Sequence, residues 1–371
     1  MAVATGTTEL AGARPAAVAG PFRPSLAGWA LRGVIWIGIA YLVLVLPLSK
    51  PPTDVTLFTK AVCYGIVALS LNVLLGYVGQ ISLGQQAFVG VGAFTAAYMM
   101  TVQGQSFWLG VLAAAAVGGA QALVLGGISL RIRGLYFALV TLSYGLVAEQ
   151  NIFQIQDLTG GSAGQPAPKP AGFDTEWRYY YLCLAFLAVV LYLDWRLMRS
   201  KAGRSLLALR ENPRVASTFG INVRLATLFA FVLSGIFAGL AGALIASNDL
   251  FVSPETWNFE LALVFVIMTV VGGLRSRAGL VIGGALFALL PYLIDKIPGV
   301  DTALAAIPAP QDLTPEIAPL VIGPLLLLLT LILFPGGIGQ QIRPLSRWLG
   351  GRRFDPHDRG LKEVQITDVR A

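Results

Sequence analysis

The chain has 371 residues, of which 56% are hydrophobic and only 12% charged, and its formal net charge is +7. Soluble domains carry about 25% charged residues, so this composition, with a mean hydropathy of +0.73, excludes an ordinary soluble domain and predicts an all-α polytopic membrane protein. The positive charge does not mark nucleic-acid binding, because the basic residues lie between apolar runs and not on one soluble unit.

Residues 1–28 are rich in Ala, Gly and Pro and read as a disordered cytoplasmic tail without a signal-peptide core. A transmembrane domain is expected over 29–335, with a cytoplasmic tail over 336–371. Apolar runs near the length needed to cross a bilayer fall at 30–48, 57–75, 82–101, 107–129, 134–154, 178–198, 225–247, 259–274, 279–296 and 316–334. They predict about ten membrane helices. The third run follows the glycine-rich stretch "GYVGQISLGQQ", so segment 76–101 is expected to be broken or re-entrant.

Basic residues orient these runs. With the N-terminus in the cytoplasm, 21 of the 26 Lys and Arg residues lie inside, including the short turns at 131–133 and 275–277. Only Lys50, Lys60, Lys169, Arg178 and Lys296 lie outside, so both termini are expected inside. The loops 155–177 and 297–315 are then extracytoplasmic, and neither is long enough for a folded domain. Trp29, Trp108, Trp177, Tyr179, Tyr180, Tyr181, Trp195 and Trp257 fall near run ends, where interfacial aromatics belong.

Small residues recur at spacing four. Gly235 with Gly239, Ala238 with Gly242, Gly279 with Gly283, and Ala114 and Ala115 with Gly118 and Gly119 predict close helix–helix seams. Such seams serve packing within the chain or a homodimer contact.

Two groups of polar residues interrupt the apolar runs. In the fifth run, Tyr136, Ser143, Gln150 and Gln154 share a helical face, with Thr141, Tyr144 and Glu149 beside it. Glu149 is the one acidic residue well inside a run; it lines a pathway or reaches the outer surface. Gln80, Ser82, Gln85 and Gln86 cluster at the start of the third run, as the lining of an inner vestibule or as a hydrated loop.

No catalytic signature accompanies them. Cys63 and Cys183 sit in apolar runs as core residues, and the one histidine, His357, lies in the tail, so no metal site is expected. None of the six lysines follows a glycine, so the phosphate-binding loop that ends in Gly-Lys is absent. A stand-alone secondary transporter would need coupling-ion groups at mid-membrane, and only Glu149 approaches one.

The loop 199–224 holds a charged island. Asn212 suits an N-cap, Pro213 the first helical position and Gly220 a left-handed ending. A helix of about two turns is therefore expected over 213–219, with Val215, Ala216 and Phe219 as an apolar edge and Arg210, Glu211 and Arg214 around its start. A merely basic loop needs neither caps nor apolar side chains, so this helix is expected to dock in a partner's groove.

"LRENPRVASTFGINVRLATLFAFVLSGIFAGLAGAL" resembles the signature of the LivM-type permease subunits of branched-chain amino acid ABC importers. "GYVGQISLGQQAFVGVGAFTAA", "RGLYFALVTLSYG", "LTGGSAG", "FVSPETWNFELAL" and "VVGGLRSRAGLVIGGAL" fit the same family in the same order, over roughly residues 57–295. The resemblance implies a heterodimer with a second, related permease, two cytoplasmic ATPase subunits that hold ATP and Mg, and an extracytoplasmic solute-binding protein. It makes the island, through Arg210, Glu211, Asn212, Pro213, Ala216, Phe219 and Gly220, the coupling helix that meets an ATPase. This chain would bind no cofactor and form half of a translocation path in a bacterial-type cell membrane. Branched-chain amino acids are the default solutes, with urea and short amides as alternatives carried by relatives.

Overall fold

Helices account for most of the described backbone, as they must where lipid offers backbone groups no hydrogen bonds. The computed structural model describes residues 26–129, 134–296 and 337–349. The expected run at 316–334, the loop 297–315, the turn 131–133, His357 and most of both tails lie outside the described residues.

Helix α1 (Leu26–Ala40) runs on through a π turn at Tyr41–Val45 and a 3-10 turn at Leu46–Ser49. Helix α2 (Pro52–Asn72) starts on a proline at its first positions, continues as a π-helical turn, Val73–Val78, and stops at Gly79 (φ 77°). Residues 79–84 are not helical, and α3 spans Gln85–Thr101. There follow α4 (Phe107–Ser129), α5 (Leu135–Gln150), a short α6 (Gln156–Thr159) and α7 (Glu176–Arg199). Glu176 in the first turn of α7 and Arg196 and Arg199 in its last complement the helix dipole. Helices α8 (Lys201–Glu211) and α9 (Pro213–Thr218) occupy the island. Then come α10 (Val223–Asp249), α11 (Phe259–Gly272) and α12 (Arg277–Lys296). Asn222 and Asn258 cap α10 and α11 by accepting from Leu225 N and Leu261 N. Helix α13 (Gly337–Leu349) lies against α11 and α12, so the start of the expected tail folds back on the bundle.

Each expected run up to residue 296 thus has a helical counterpart. Among the described residues, four helical stretches are long and apolar enough to cross a membrane: Pro52–Val78, Phe107–Ile128, Glu176–Arg199 and Val223–Asp249. The chain is an all-α, multi-pass membrane protein. Its α2 stretch is 94% buried and forms the axis, whereas the α4 and α7 stretches are only 39% and 28% buried and line the perimeter. Helices α7, α10, α11 and α12 surround α2, and α10 also packs along α3 and α4.

The small-residue seams lie within this chain. A Cβ at Gly235 would overlap the carbonyl oxygen of Gly118, and one at Gly239 that of Ala114, so α4 and α10 touch backbone to backbone. Gly242 meets Val89 of α3 in the same way. Gly279 stands against the Gly272 carbonyl, and a Cβ at Gly283 would lie 2.5 Å from the Met268 carbonyl oxygen, which closes α11 on α12. Without a hydrophobic gain between lipid-solvated helices, such approach is what holds them together.

The ends of the bundle differ. At one, the strand pair β1 (Gln165–Pro166) and β2 (Phe251–Val252) joins two long loops antiparallel, Gln165 facing Val252. At the other, the basic end, the π turn of α2, the C-terminal end of α7, helices α8 and α9 and the α11–α12 turn gather. Cys63 and Cys183 are buried free thiols.

Candidate functional site

At the basic end, α8 begins where Ser200 Oγ accepts from Gly203 N at 3.3 Å. Helix α9 follows with one residue between. Asn212 Oδ1 accepts from Arg214 N at 3.0 Å and Val215 N at 3.2 Å, satisfying two donors that the helix start leaves free. The other end closes with Gly220 at φ 78° and with Ile221 N donating to Ala216 O. The expected apolar edge is divided. Ala216 is only 2% exposed and faces its own chain, whereas Val215 is 49% and Phe219 81% exposed. Ala216 is therefore a packing residue here, and the outward apolar surface is Val215 with Phe219. Glu211 and Arg214 are exposed beside them.

Arg210 turns inward. Its Nη1 donates to the carbonyl of Gly76 in the π turn of α2, and its stem lies over Gly79. Burial first, then the charge of nearby Arg275, lowers the pKa of this guanidinium; it stays charged at any physiological pH. Next to it, Asn72 Oδ1 accepts from Arg275 N at 2.8 Å, where Arg275 has φ 65°. Tyr77 donates to both oxygens of Asp194, at 2.8 and 3.0 Å, and Arg277 Nε pairs with Asp194 Oδ2 at 2.5 Å. The sequence marks Asp194 only as an acid near the end of a run. Neither of its partners is near it in the chain, so no local signal reveals the cluster. The result is one polar network through α2, α7, the α11–α12 turn and the segment leading into α9.

The broken entry to α3 lies beside it. Ser82, Gln85 and Gln86 are fully buried and Gln80 is half-buried, so none forms an open vestibule surface in the isolated chain. Gln85 Nε2 donates to Ser70 Oγ at 2.6 Å and Ser234 Oγ at 3.3 Å, and Ser234 donates to Ser70 O. Both polar atoms of Gln86, Gln85 Oε1, Gln80 Oε1 and Ser82 Oγ have no hydrogen-bond partner among the described residues. Helix α5 braces the non-helical backbone: Leu83 N donates to Thr141 Oγ1 at 3.0 Å, and a Cβ at Gly84 would overlap the Thr141 carbonyl.

The polar residues of α5 and of the 3-10 turn that follows it, Ile152–Gln154, separate by direction. Tyr136 is 74% exposed, and Ser143, Gln150 and Gln154 are exposed with it. Thr141 is buried, and Tyr144 points inward to donate to Gln121 Oε1 at 2.5 Å. Glu149 is half-buried, with Oε2 unpartnered among the described residues. Among the described residues no group of three or more His, Cys, Asp or Glu could hold a metal.

A bundle of apolar helices with a broken helix inside, a polar stripe on an outer helix and a capped helix at its basic end is the anatomy of a membrane permease subunit. The family described as the permease component of the branched-chain amino acid transport system matches residues 55–330, and the chain belongs to that family. It is a transport subunit and not an enzyme. Its relatives include the high-affinity branched-chain amino acid transport system permease protein LivM of Escherichia coli K12, 30% identical over 304 residues that cover 73% of this chain and 71% of the relative. LivM of Salmonella typhimurium is 30% identical over 287 residues, covering 70% of this chain and 66% of the relative, just under two thirds. The probable branched-chain amino acid transport permease protein LivH of Methanocaldococcus jannaschii is 39% identical over 98 residues, 26% of this chain and 30% of the relative. No solved structure matches.

Proposed function

We propose that this chain forms half of the translocation path of an ABC importer for branched-chain amino acids, with ten membrane helices and both termini in the cytoplasm. It pairs with a second, related permease. Two ATPase subunits supply ATP hydrolysis with Mg, this chain binding no cofactor, and an extracytoplasmic protein delivers the solute. The family and the names of the relatives support the solute class.

One observation carries the coupling role: α9 is capped at both ends and yet exposes Phe219 and Val215 at the tip of a charged loop. A large aromatic 81% exposed among charges fits the apolar centre of a partner contact. Arg210 supports the same reading, since it fastens the last turn of α8, which leads into α9, to the α2 turn that leads into the broken α3. Motion of α9 is transmitted to the helix break beneath it. The exposed stripe Tyr136, Ser143 and Gln150 supports α5 as the wall facing the second permease and the path, because polar groups against lipid are costly. The test is uptake of labelled leucine by the assembled transporter, with copurification of the ATPases. Phe219→Asp is expected to abolish both while this chain still pairs with the second permease. Normal copurification by that variant would remove α9 from the interface.

A further inference from the structure

We infer that a cavity at the end opposite the island, between α2, α11, α12 and the loop after α10, is a subsite for an amino-acid zwitterion with an apolar side chain. The inference rests on the import reading and adds to it a place where this chain itself recognises the solute. The cavity has a volume of about 430 Å³, within the range of about 300–1,000 Å³ typical of small-molecule sites. Its polar wall holds one cation, Lys60, and three carboxylates, Asp249, Glu255 and Glu260. Its apolar wall is made by Leu57, Leu261, Val264 and Phe287.

The charges are arranged for a zwitterion. Lys60 sits two turns inside α2 and is half-buried; an ionisable group at such a position is retained for a reason beyond solubility. It meets Asp249 Oδ2 at 3.6 Å, a single loose contact that leaves two of its three donors for another acceptor. Glu255 and Glu260 have no ion-pair partner among the described residues. A free α-carboxylate finds Lys60, the α-ammonium finds Glu260 and Glu255, and a branched aliphatic side chain finds the Leu, Val and Phe surface. An anion lacking the ammonium meets a wall whose formal charges sum to net negative. A cation lacking the carboxylate leaves Lys60 unused. In the proposed orientation the cavity opens on the side from which solute arrives.

A cysteine placed at Thr256, which lines the cavity and is exposed, reports occupancy through its rate of labelling by a membrane-impermeant maleimide. The native thiols are buried and do not compete. The full chain is assembled with its partner subunits in nanodiscs of phosphatidylglycerol alone, which keeps zwitterionic lipid headgroups out. L-leucine at about ten times its dissociation constant is expected to slow labelling about tenfold by simple occupancy. 4-Methylpentanoate, which lacks the ammonium, and isopentylamine, which lacks the carboxylate, are expected to protect far less. Adding Glu260→Gln or Lys60→Gln should weaken protection by leucine about tenfold or more, the loss of one charged hydrogen bond. Adding phosphatidylethanolamine that protects in place of leucine would assign the cavity to lipid headgroups and overturn the proposal. So would labelling indifferent to leucine, or equal protection by isopentylamine. Leucine uptake by the wild-type assembly, measured in parallel, tests the import reading on its own, since protection does not require transport.

Discussion

Asp194 has no exposed surface, and Tyr77 and Arg277 both serve it. Removing one partner of a buried ion pair leaves the other charge uncompensated, which costs about 3–5 kcal/mol, whereas replacing both by apolar groups is often neutral. Arg277→Met, which leaves the fully buried Asp194 carboxylate without its cation, is therefore expected to lower the stability of the detergent-purified protein by about that amount, and Asp194→Leu with Arg277→Met to recover most of it. Chemical denaturation of the three proteins checks the pattern. Equal loss in the single and double variants would mean that packing, and not charge, is what Asp194 supplies. Arg210 acts differently, because its partner is a carbonyl and its site is part solvent. Arg210→Met should leave the bundle standing and reduce leucine uptake per ATP hydrolysed, since it detaches α9 from the turn at Gly76.

Elements show what a sequence can declare for itself. Helix α9 was legible because its signals are local: Asn212, Pro213 and Gly220 each specify their own backbone, and the structure uses all three as the spacing predicts. The sharing of its apolar edge was not legible, since the packing of α9 on α8 and α10 leaves Ala216 inside and Phe219 outside. The break before α3 could be read from the glycines at 76, 79 and 84, but the burial of Gln85 depends on Ser70 and Ser234, which are remote in sequence. The glycine seams announced close packing without naming partners; Gly118 against Gly235 is a tertiary fact. Two predictions belong here. Asn212→Ala removes the cap of α9, costs about 1 kcal/mol locally, and should lower ATPase copurification less than Phe219→Asp does. Gly239→Leu forces a side chain between α10 and the Ala114 carbonyl, and overpacking of this kind costs about 1–3 kcal/mol or more. Its thermal midpoint should fall, while Gly127→Leu, on α4 with open space around it, should not change it.

The molecule as a whole is built asymmetrically around α2. Helices α7, α10, α11 and α12 surround it, while α4 and the outer side of α7 are left with mostly open faces. Those faces are apolar and suit lipid. Helix α5 is different, since Tyr136, Ser143 and Gln150 stand exposed along a helix whose other face braces the break before α3. A polar stripe of this kind is stable in a membrane only against water or another protein. In the proposed assembly it meets both: the second permease closes over it, and solute passes between. The same helix therefore touches the path on one side and the broken segment on the other, and the broken segment is tied through the turn at Gly76 to Arg210 and α9. Coupling then needs no long lever. A cysteine at Ser143 is expected to cross-link to the second permease when the two are coexpressed, and not to another copy of this chain. Its reaction with a small water-soluble maleimide should change when the ATPases are held in their ATP-bound state by a non-hydrolysable analogue. A cysteine at Leu112, exposed on α4, is the lipid-facing control and should react slowly in every state. If Ser143→Cys behaves like Leu112→Cys, α5 faces lipid and the path runs elsewhere.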